Sequence, residues 1–293
     1  MKNSKLKTLR HKNRRIRLGR KNSKLIKIGL GGCGTIGSEI ARAIETRFKD
    51  TAKLIAICDC DEKKTAALRA RGKTRPSVVD CNALIKKSDL IIEAASAKIS
   101  GEIAAKALAA KKDVMVMSVG GIMNKYASLR NLAKKNKCTM YVPSGAICGL
   151  DGVKAAHLGT IHKAELVTRK PPHSLAGAPF LAKNNIDVEA IRSETVIFEG
   201  TAEEAIEGFP ANINVSCALS LAGIGPKKTR VTIIASPGYT RNVHEISVEG
   251  ACGKIFTRTE NVPSPHNPKT SYLAVLSALA TLRQILEPVK VGT

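Results

Sequence analysis

The reading of LIKIGLGGCGTIG, Leu25 to Gly37, decides the fold of this 293-residue chain. Its first part, Leu25-Ile26-Lys27-Ile28-Gly29-Leu30, is an apolar run of strand length, and Ser38 to Phe48 follows with a helical pattern. Between them Gly32-Cys33-Gly34-Thr35-Ile36-Gly37 fits G-x-G-x-x-G with a strand before it and a helix after it, the setting that the motif requires. One glycine makes the tight turn, the second lets a pyrophosphate approach the backbone, and the third lets helix and strand pack closely. The helix N-terminus then offers free N–H groups and the positive end of its dipole to phosphates. A glycine-rich turn that holds no ligand is the competing reading.

The next strand supports the ligand-holding reading. Lys53-Leu54-Ile55-Ala56-Ile57-Cys58 ends at Asp59, 22 residues after Gly37. Dinucleotide-binding units place an acidic residue there, on the adenosine ribose hydroxyls. The carboxylate would repel a 2′-phosphate, which favours NAD; Lys63 and Lys64 nearby leave room for NADP.

From residue 25 to about 143 strands and helices alternate. Asp61 to Arg71 reads as a helix, Asp89-Leu90-Ile91-Ile92-Glu93-Ala94-Ala95 as a strand buried on both faces, Ile99 to Ala110 as an Ala-rich helix and Asp113 to Ser118 as a further strand. This is the alternation of a doubly wound, Rossmann-type α/β parallel sheet. Ligands bind such sheets at the carboxyl ends of the strands, where Asp59, Ala95, Ser96, Ser118 and Ser144-Gly145-Ala146 fall. After Ser144 the strands come near Ala164–Thr168, Glu194–Glu199, Thr229–Ala235, Asn242–Val248 and Lys254–Thr259. Several follow one another through short turns, which predicts a second, α+β domain with a mainly antiparallel sheet. The expected organisation is an arm at 1–24, a dinucleotide-binding domain at 25–143, an α+β substrate domain at 144–267 and a C-terminal helical segment at 268–293. Asn267 and Pro268 supply cap and first-turn signals for a helix running to Leu286, with Tyr272, Val275, Leu276, Leu279, Leu282 and Leu286 as its apolar stripe. That stripe is expected to pack back on the first domain or to form a dimer face.

The formal charge is +24, unevenly placed: residues 1–24 hold 11 Lys and Arg and no acid. This segment has no hydrophobic periodicity and reads as a disordered basic arm, a solvated extension that could also contact nucleic acid non-specifically. It lacks the apolar core of a secretory signal, and no apolar run approaches the roughly 20 residues that span a bilayer. The eight cysteines, 33, 58, 60, 81, 138, 148, 217 and 252, form no C-x-x-C pair and no zinc-type cluster. No disulfide and no metal are expected, in a reducing, cytoplasmic setting.

Four places could carry chemistry. His244 alternates onto the apolar face of its strand with Ile246 and Val248, so it is either a satisfied core histidine or a site residue facing a cleft. Lys269-Thr270-Ser271, placed at a helix N-terminus, would suit a substrate carboxylate. Arg169 and Lys170 put two cations at a strand end, and Phe209 to Asn214 places amides near the start of a helix.

Taken in order, GGCGTIG, IIEAAS, SVGG, VPSGAICGLDG, TRKPP, FEGTAEEAIEGFPANINV, LAGIG, NVHEISVEG and ENVPSPHNPKTSYLAVLSALATL resemble the L-aspartate dehydrogenase family from about residue 25 to 286. The resemblance implies an NAD(P)-dependent amino-acid dehydrogenase, an oxidoreductase acting on CH–NH2. It would interconvert L-aspartate with iminoaspartate or oxaloacetate plus ammonia, linked to NAD biosynthesis through iminoaspartate, in a homodimer. It makes His244 the catalytic histidine, and Ala146 and Asn214 cofactor contacts, and so moves His244 from core to site. Cys148-Gly149 stands where the family pattern suggests Gly-Gly, and residues 1–24 have no counterpart. A homoserine dehydrogenase-like reductase would share the first half. Dihydrodipicolinate reductase would add a paired-histidine motif that is not visible here. A dinucleotide-sensing protein using the basic arm on nucleic acid would not need NVHEI or NPKTS.

Overall fold

The computed structural model describes residues 25–210, 213–265 and 267–292, with Pro268 and Lys269 described by their backbone only. The basic arm therefore lies outside the described residues. The first sheet is laid down by β1 (Ile26–Gly31), α1 (Thr35–Thr46), β2 (Ala52–Cys58), α2 (Glu62–Arg71), β3 (Ser77–Val78), α3 (Cys81–Lys87), β4 (Leu90–Glu93), α4 (Ala97–Ala109), β5 (Asp113–Val116), a 3-10 segment Val119–Lys125, α5 (Tyr126–Asn136) and β6 (Met140–Tyr141). The strands lie in the order β3-β2-β1-β4-β5-β6 and every neighbouring pair is parallel. This is the order of two mononucleotide-binding halves that meet between β1 and β4. Both faces of the sheet are covered, which is why β1, β4 and β5 read as unbroken apolar runs: Ile28, Leu30, Ile91, Ile92, Val114, Met115 and Val116 are all fully buried.

The second half of the chain adds α6 (Leu150–Ala156), β7 (Ile161–Lys170), α7 (Pro179–Lys183), β8 (Thr195–Thr201), α8 (Ala202–Gly208), α9 (Asn214–Ala222), β9 (Arg230–Ala235), β10 (Asn242–Gly250) and β11 (Gly253–Asn261). Their sheet has the order β11-β10-β7-β9-β8. The pairs β10–β11, β7–β10 and β8–β9 are antiparallel and β7–β9 is parallel. α8 starts on a reciprocal cap formed by Thr201-x-x-Glu204: the Thr201 hydroxyl accepts from the Glu204 N–H, and the Glu204 carboxylate accepts from the Thr201 N–H. The short helical turns between residues 172 and 190 carry no stripe long enough to be read from sequence.

The start of the last helix differs from the sequence expectation. Asn267–Ser271 is a strand, β13, paired antiparallel with β12 (Pro263–Ser264), and α10 runs only from Tyr272 to Leu286. Ser271, not Asn267, is the residue before the helix. The Asn-Pro cap signal is local; the ribbon pairing and a 2.7 Å hydrogen bond from the Ser271 hydroxyl to Asn261 Oδ1 outweigh it. Pro268 is tolerated because a two-stranded ribbon is all edge. Lys269 and Thr270 thus lie in β13 and not in the first turn of a helix, and only Ser271 adjoins the start of α10. α10 buries Val275, Ala278, Leu279, Leu282 and Leu286, and the last four share one cluster with Ile28 and Leu30 of β1 and Ile40 and Ile44 of α1.

Candidate active site

The three motif glycines meet three different demands. Gly32 has φ +97°, and a Cβ there would lie 2.4 Å from the Ala94 carbonyl. A Cβ on Gly37 would come within 2.0 Å of the Gly32 oxygen. A Cβ on Gly34 would meet nothing within 4 Å, so the space above it is open for a ligand. Gly34 precedes the first turn of α1 without a capping side chain, which leaves that turn's N–H groups for an anion.

Asp59 sits just past β2 and reaches the glycine loop. One carboxylate oxygen accepts from Cys33 N–H at 2.7 Å and the other from Asp61 N–H at 2.9 Å. Burial raises its pKa, but those two bonds and the Lys64 charge outweigh burial and hold it below the usual carboxylate range. It is an anion aimed at the loop where the ribose hydroxyls of a dinucleotide would come. On the far side of the loop, the Thr35 hydroxyl accepts from Asn267 Nδ2 at 3.0 Å, which fastens β13 to the first turn of α1. Ile36 is half-buried there.

At the β4 and β5 ends of the sheet, Ala95 and Ser96 are both exposed. A group absent from the sequence reading organises this corner: the Glu93 carboxylate, fully buried, accepts from Ala95 N–H and from the N–H and hydroxyl of Ser118. The signal available in the sequence was an acid inside the apolar run Leu90–Ala95. Two residues beyond Ser118, Gly120 N–H donates to Asn214 Oδ1 at 3.1 Å. Asn214, the first residue of α9, therefore joins the second half of the chain to the β5 end of the first sheet.

His244 lies in β10, opposite Thr168 of β7 on one side and Thr259 of β11 on the other. It is only 3% exposed, and its Nδ1 is 2.9 Å from the Thr168 hydroxyl. Burial lowers its pKa to about 3, and the charge of Lys170 adds to the effect. Lys170 is also buried, and burial alone pulls its pKa down to about 8. Strand alternation puts Thr168 and Lys170 on the His244 face and Arg169 on the other. There the Arg169 guanidinium pairs with Glu245 at 2.6 Å and Glu194 at 3.3 Å, and Arg258 also pairs with Glu245. Of the two cations at this strand end, the structure brings Lys170, not Arg169, to the histidine.

Ala146 reaches the same place. Its carbonyl accepts from the Thr259 hydroxyl and from Asn261 Nδ2, each at 3.0 Å, and the Thr259 hydroxyl is also 3.5 Å from the His244 carbonyl. Ser271 supports Asn261 from behind, and Thr270 is half-buried beside it. The Lys269 side chain, Asn212 and His266 lie outside the described residues. A cleft of about 600 Å³ between β6, α6, α9 and α10 does not include His244.

An open glycine loop, an anion at the end of β2 and a buried histidine–threonine–lysine group on a separate sheet define a pyridine-nucleotide-dependent dehydrogenase. Residues 32–143 match the family model of the homoserine dehydrogenase NAD binding domain, and residues 151–285 that of the aspartate dehydrogenase C-terminal region. L-aspartate dehydrogenase of Methanosarcina mazei is 48% identical over 272 residues, covering 92% of this chain and 100% of that one. That of Methanosarcina acetivorans is 49% identical with the same coverage. The crystal structure of aspartate dehydrogenase from Thermotoga maritima superposes with a TM-score of 0.67 at 25% identity, covering 92% of this chain and 100% of that one. The chain belongs to the L-aspartate dehydrogenase family.

Proposed function

We propose that this chain catalyses the reversible NAD(P)-dependent oxidative deamination of L-aspartate to iminoaspartate, and on to oxaloacetate and ammonia. The observation that carries this reading is the buried His244–Thr168–Lys170 group on one face of the second sheet, in a chain 48% identical to an L-aspartate dehydrogenase. When bound, the nicotinamide supplies the hydride acceptor for the substrate Cα–H; the protein supplies position and charge. Asp59 receives the adenosine ribose hydroxyls, and the loop Gly32, Cys33, Gly34, Thr35, Ile36 and Gly37 carries the pyrophosphate. Ala95, Ser96, Ala146 and Asn214 flank the nicotinamide half.

Of the two cations that the sequence places at this strand end, Lys170 receives a substrate carboxylate in preference to Arg169, whose guanidinium is engaged on the opposite face. Lys269, Thr270 and Ser271 approach from β13. His244 in the free chain is a neutral imidazole because burial and Lys170 oppose its charging. A bound dicarboxylate offsets the lysine charge and raises the imidazole's proton affinity. His244 then takes the proton released from the substrate amine and, in the second stage, activates the water that attacks the imine. The base becomes effective only with substrate in place.

We further infer the division at 25–143 and 144–267 with α10 returned to the first part, supported by the cluster that α10 shares with β1 and α1. A cytoplasmic role supplying iminoaspartate to NAD biosynthesis fits the substrate; among the described residues no helix is long and apolar enough to cross a membrane. A homodimer through the face of the second sheet opposite His244 fits Phe256, 60% exposed on an edge strand. Sedimentation velocity tests that assembly.

The deciding experiment follows NADH absorbance with purified protein, using aspartate plus NAD and, separately, oxaloacetate plus ammonia and NADH. NADP forms and homoserine are run in parallel. Turnover in both directions is expected. Activity on homoserine without activity on aspartate would overturn the substrate assignment.

A further inference from the structure

Glu93 ends β4 with a side chain that is 0% exposed. A buried carboxylate is costly unless donors meet it. Ala95 N–H donates to one of its oxygens at 2.8 Å and the Ser118 hydroxyl to the same oxygen at 2.9 Å, while Ser118 N–H donates to the other at 3.0 Å. Two of the partners are backbone N–H groups, which can only donate, and one reaches each carboxyl oxygen, so the site calls on both oxygens as acceptors. Burial raises the carboxyl pKa, and the bonds from Ser118 and Ala95 oppose that rise. The last backbone bond joining these strand ends, Met117 N–H to Glu93 O at 2.9 Å, is reached just before the two loops part. Beyond it, the carboxylate ties the loop after β4 to the loop after β5.

The tie continues outward. The Ser118 carbonyl accepts from the Ser100 hydroxyl of α4 at 2.9 Å, and Gly120 N–H donates to Asn214 Oδ1 at 3.1 Å. A hydrogen-bonded path, closed by the two peptide links from Ser118 to Gly120, thus runs from Glu93 to the first residue of α9. Its place in the fold gives it a use. The strand order β3-β2-β1-β4-β5-β6 divides the ligand crevice into two mononucleotide halves. Asp59, at the end of β2, marks the adenosine half. The loops that Glu93 ties belong to β4 and β5, in the other half.

We propose that Glu93 is a positioning residue for the nicotinamide half of the dinucleotide, holding the loops after β4 and β5 and, through Ser118 and Gly120, the Asn214 side chain in one arrangement. It touches neither substrate nor reacting atoms; it acts through Ala95, Ser118 and Asn214. The inference rests on the dinucleotide reading above.

The test compares binding of NADH with binding of ADP-ribose, which lacks the nicotinamide ring, by calorimetry on wild type, Glu93→Gln and Ser118→Ala. Glu93→Gln turns an amide N–H toward a backbone donor and breaks one arm of the tie. Ser118→Ala removes only the hydroxyl bond and leaves Glu93 with two donors. Hydrogen bonds to charged groups carry enough energy to predict NADH binding weakened about tenfold in Glu93→Gln and about threefold in Ser118→Ala, with ADP-ribose binding unchanged in both. Equal weakening of both ligands would show a general structural role and overturn the proposal, as would unchanged NADH binding. If Glu93→Gln does not fold, Ser118→Ala decides by the same comparison. Wild-type protein that bound neither ligand would overturn the dinucleotide reading itself.

Discussion

The Thr168 hydroxyl lies 2.9 Å from His244 Nδ1, across a directly opposed pair on β7 and β10. The hydroxyl engages Nδ1 and so sets which face the imidazole presents, leaving Nε2 for the substrate. His244→Ala is expected to lower kcat by about 10² to 10⁴ with NADH affinity retained. Thr168→Val, which keeps the shape and removes the hydroxyl, is expected to lower kcat about tenfold through loss of ring orientation. Steady-state kinetics with a parallel NADH titration checks both; a His244→Ala enzyme that turns over like wild type ends the assignment.

The depressed pKa of His244 has a definite sign in stability and in rate. Its value falls from 6.5 in the unfolded chain to about 3 in the folded one. Between those values the unfolded state binds the extra proton, so stability rises with pH across this window and is lost as pH falls below about 6.5. Melting temperatures taken from pH 7 to 4.5 should therefore fall more steeply for wild type than for His244→Gln. In catalysis, a bound dicarboxylate offsets Lys170 and raises the imidazole pKa. The acid limb of kcat, which reports the substrate complex, should then lie at higher pH than that of kcat/KM, which reports the free enzyme.

The parts of the fold legible from sequence are those decided by neighbours along the chain. The strand-glycine-helix unit and Asp59 after β2 each carry their signal within a short stretch of chain. What the sequence hid depends on partners far away. The cap signal at Asn267-Pro268 lost to a ribbon whose pairing and Ser271–Asn261 bond are tertiary facts. Glu93 finds Ser118 25 residues on, and Thr168 finds His244 76 residues on. Lys170 is a partial case: two-residue alternation from Thr168 already placed it on the opposite face from Arg169, but only the β7–β10 register ties that face to the histidine.

Asp59 predicts cofactor choice. With Asp59 on the adenosine ribose, as proposed, its carboxylate, held by Cys33 and Asp61 N–H groups, would repel a 2′-phosphate, and Lys63 and Lys64 follow it at the start of α2. Asp59→Ser removes the repulsion and keeps a hydroxyl for the ribose. The ratio of kcat/KM for NAD to that for NADP is expected to fall at least about tenfold, since removing a close like-charge contact is worth one or more powers of ten. A ratio that stays at the wild-type value would remove Asp59 from the cofactor site.

Lys170 and Arg169 separate by the face they occupy. Lys170→Met preserves the buried stem and deletes the charge beside His244, so KM for aspartate should rise about tenfold or more, the worth of a charge-assisted hydrogen bond. Arg169→Met cuts the pairs to Glu245 and Glu194 on the other face. It should change KM by less than about threefold and instead lower the melting temperature, because Glu245, only 17% exposed at its side chain, keeps Arg258 alone. Similar KM values for the two variants would contradict the face assignment.

The two later motif glycines should fail in opposite ways when given a methyl group. At Gly37 the new Cβ would stand 2.0 Å from the Gly32 carbonyl oxygen, a backbone atom that cannot swing aside. Helix and strand would have to part, so Gly37→Ala is expected to lower the melting temperature by several degrees, the effect of about 1–3 kcal/mol of overpacking. At Gly34 the backbone has φ −71° and the Cβ would meet no protein atom within 4 Å. Gly34→Ala should therefore fold with an unchanged melting temperature. Its methyl would occupy the space that the pyrophosphate needs, and KM for NAD should rise about tenfold or more. The contrast is the test: a Gly34→Ala protein that melts early, or one that binds NAD as well as wild type, would mean that the open space above Gly34 is not the phosphate seat.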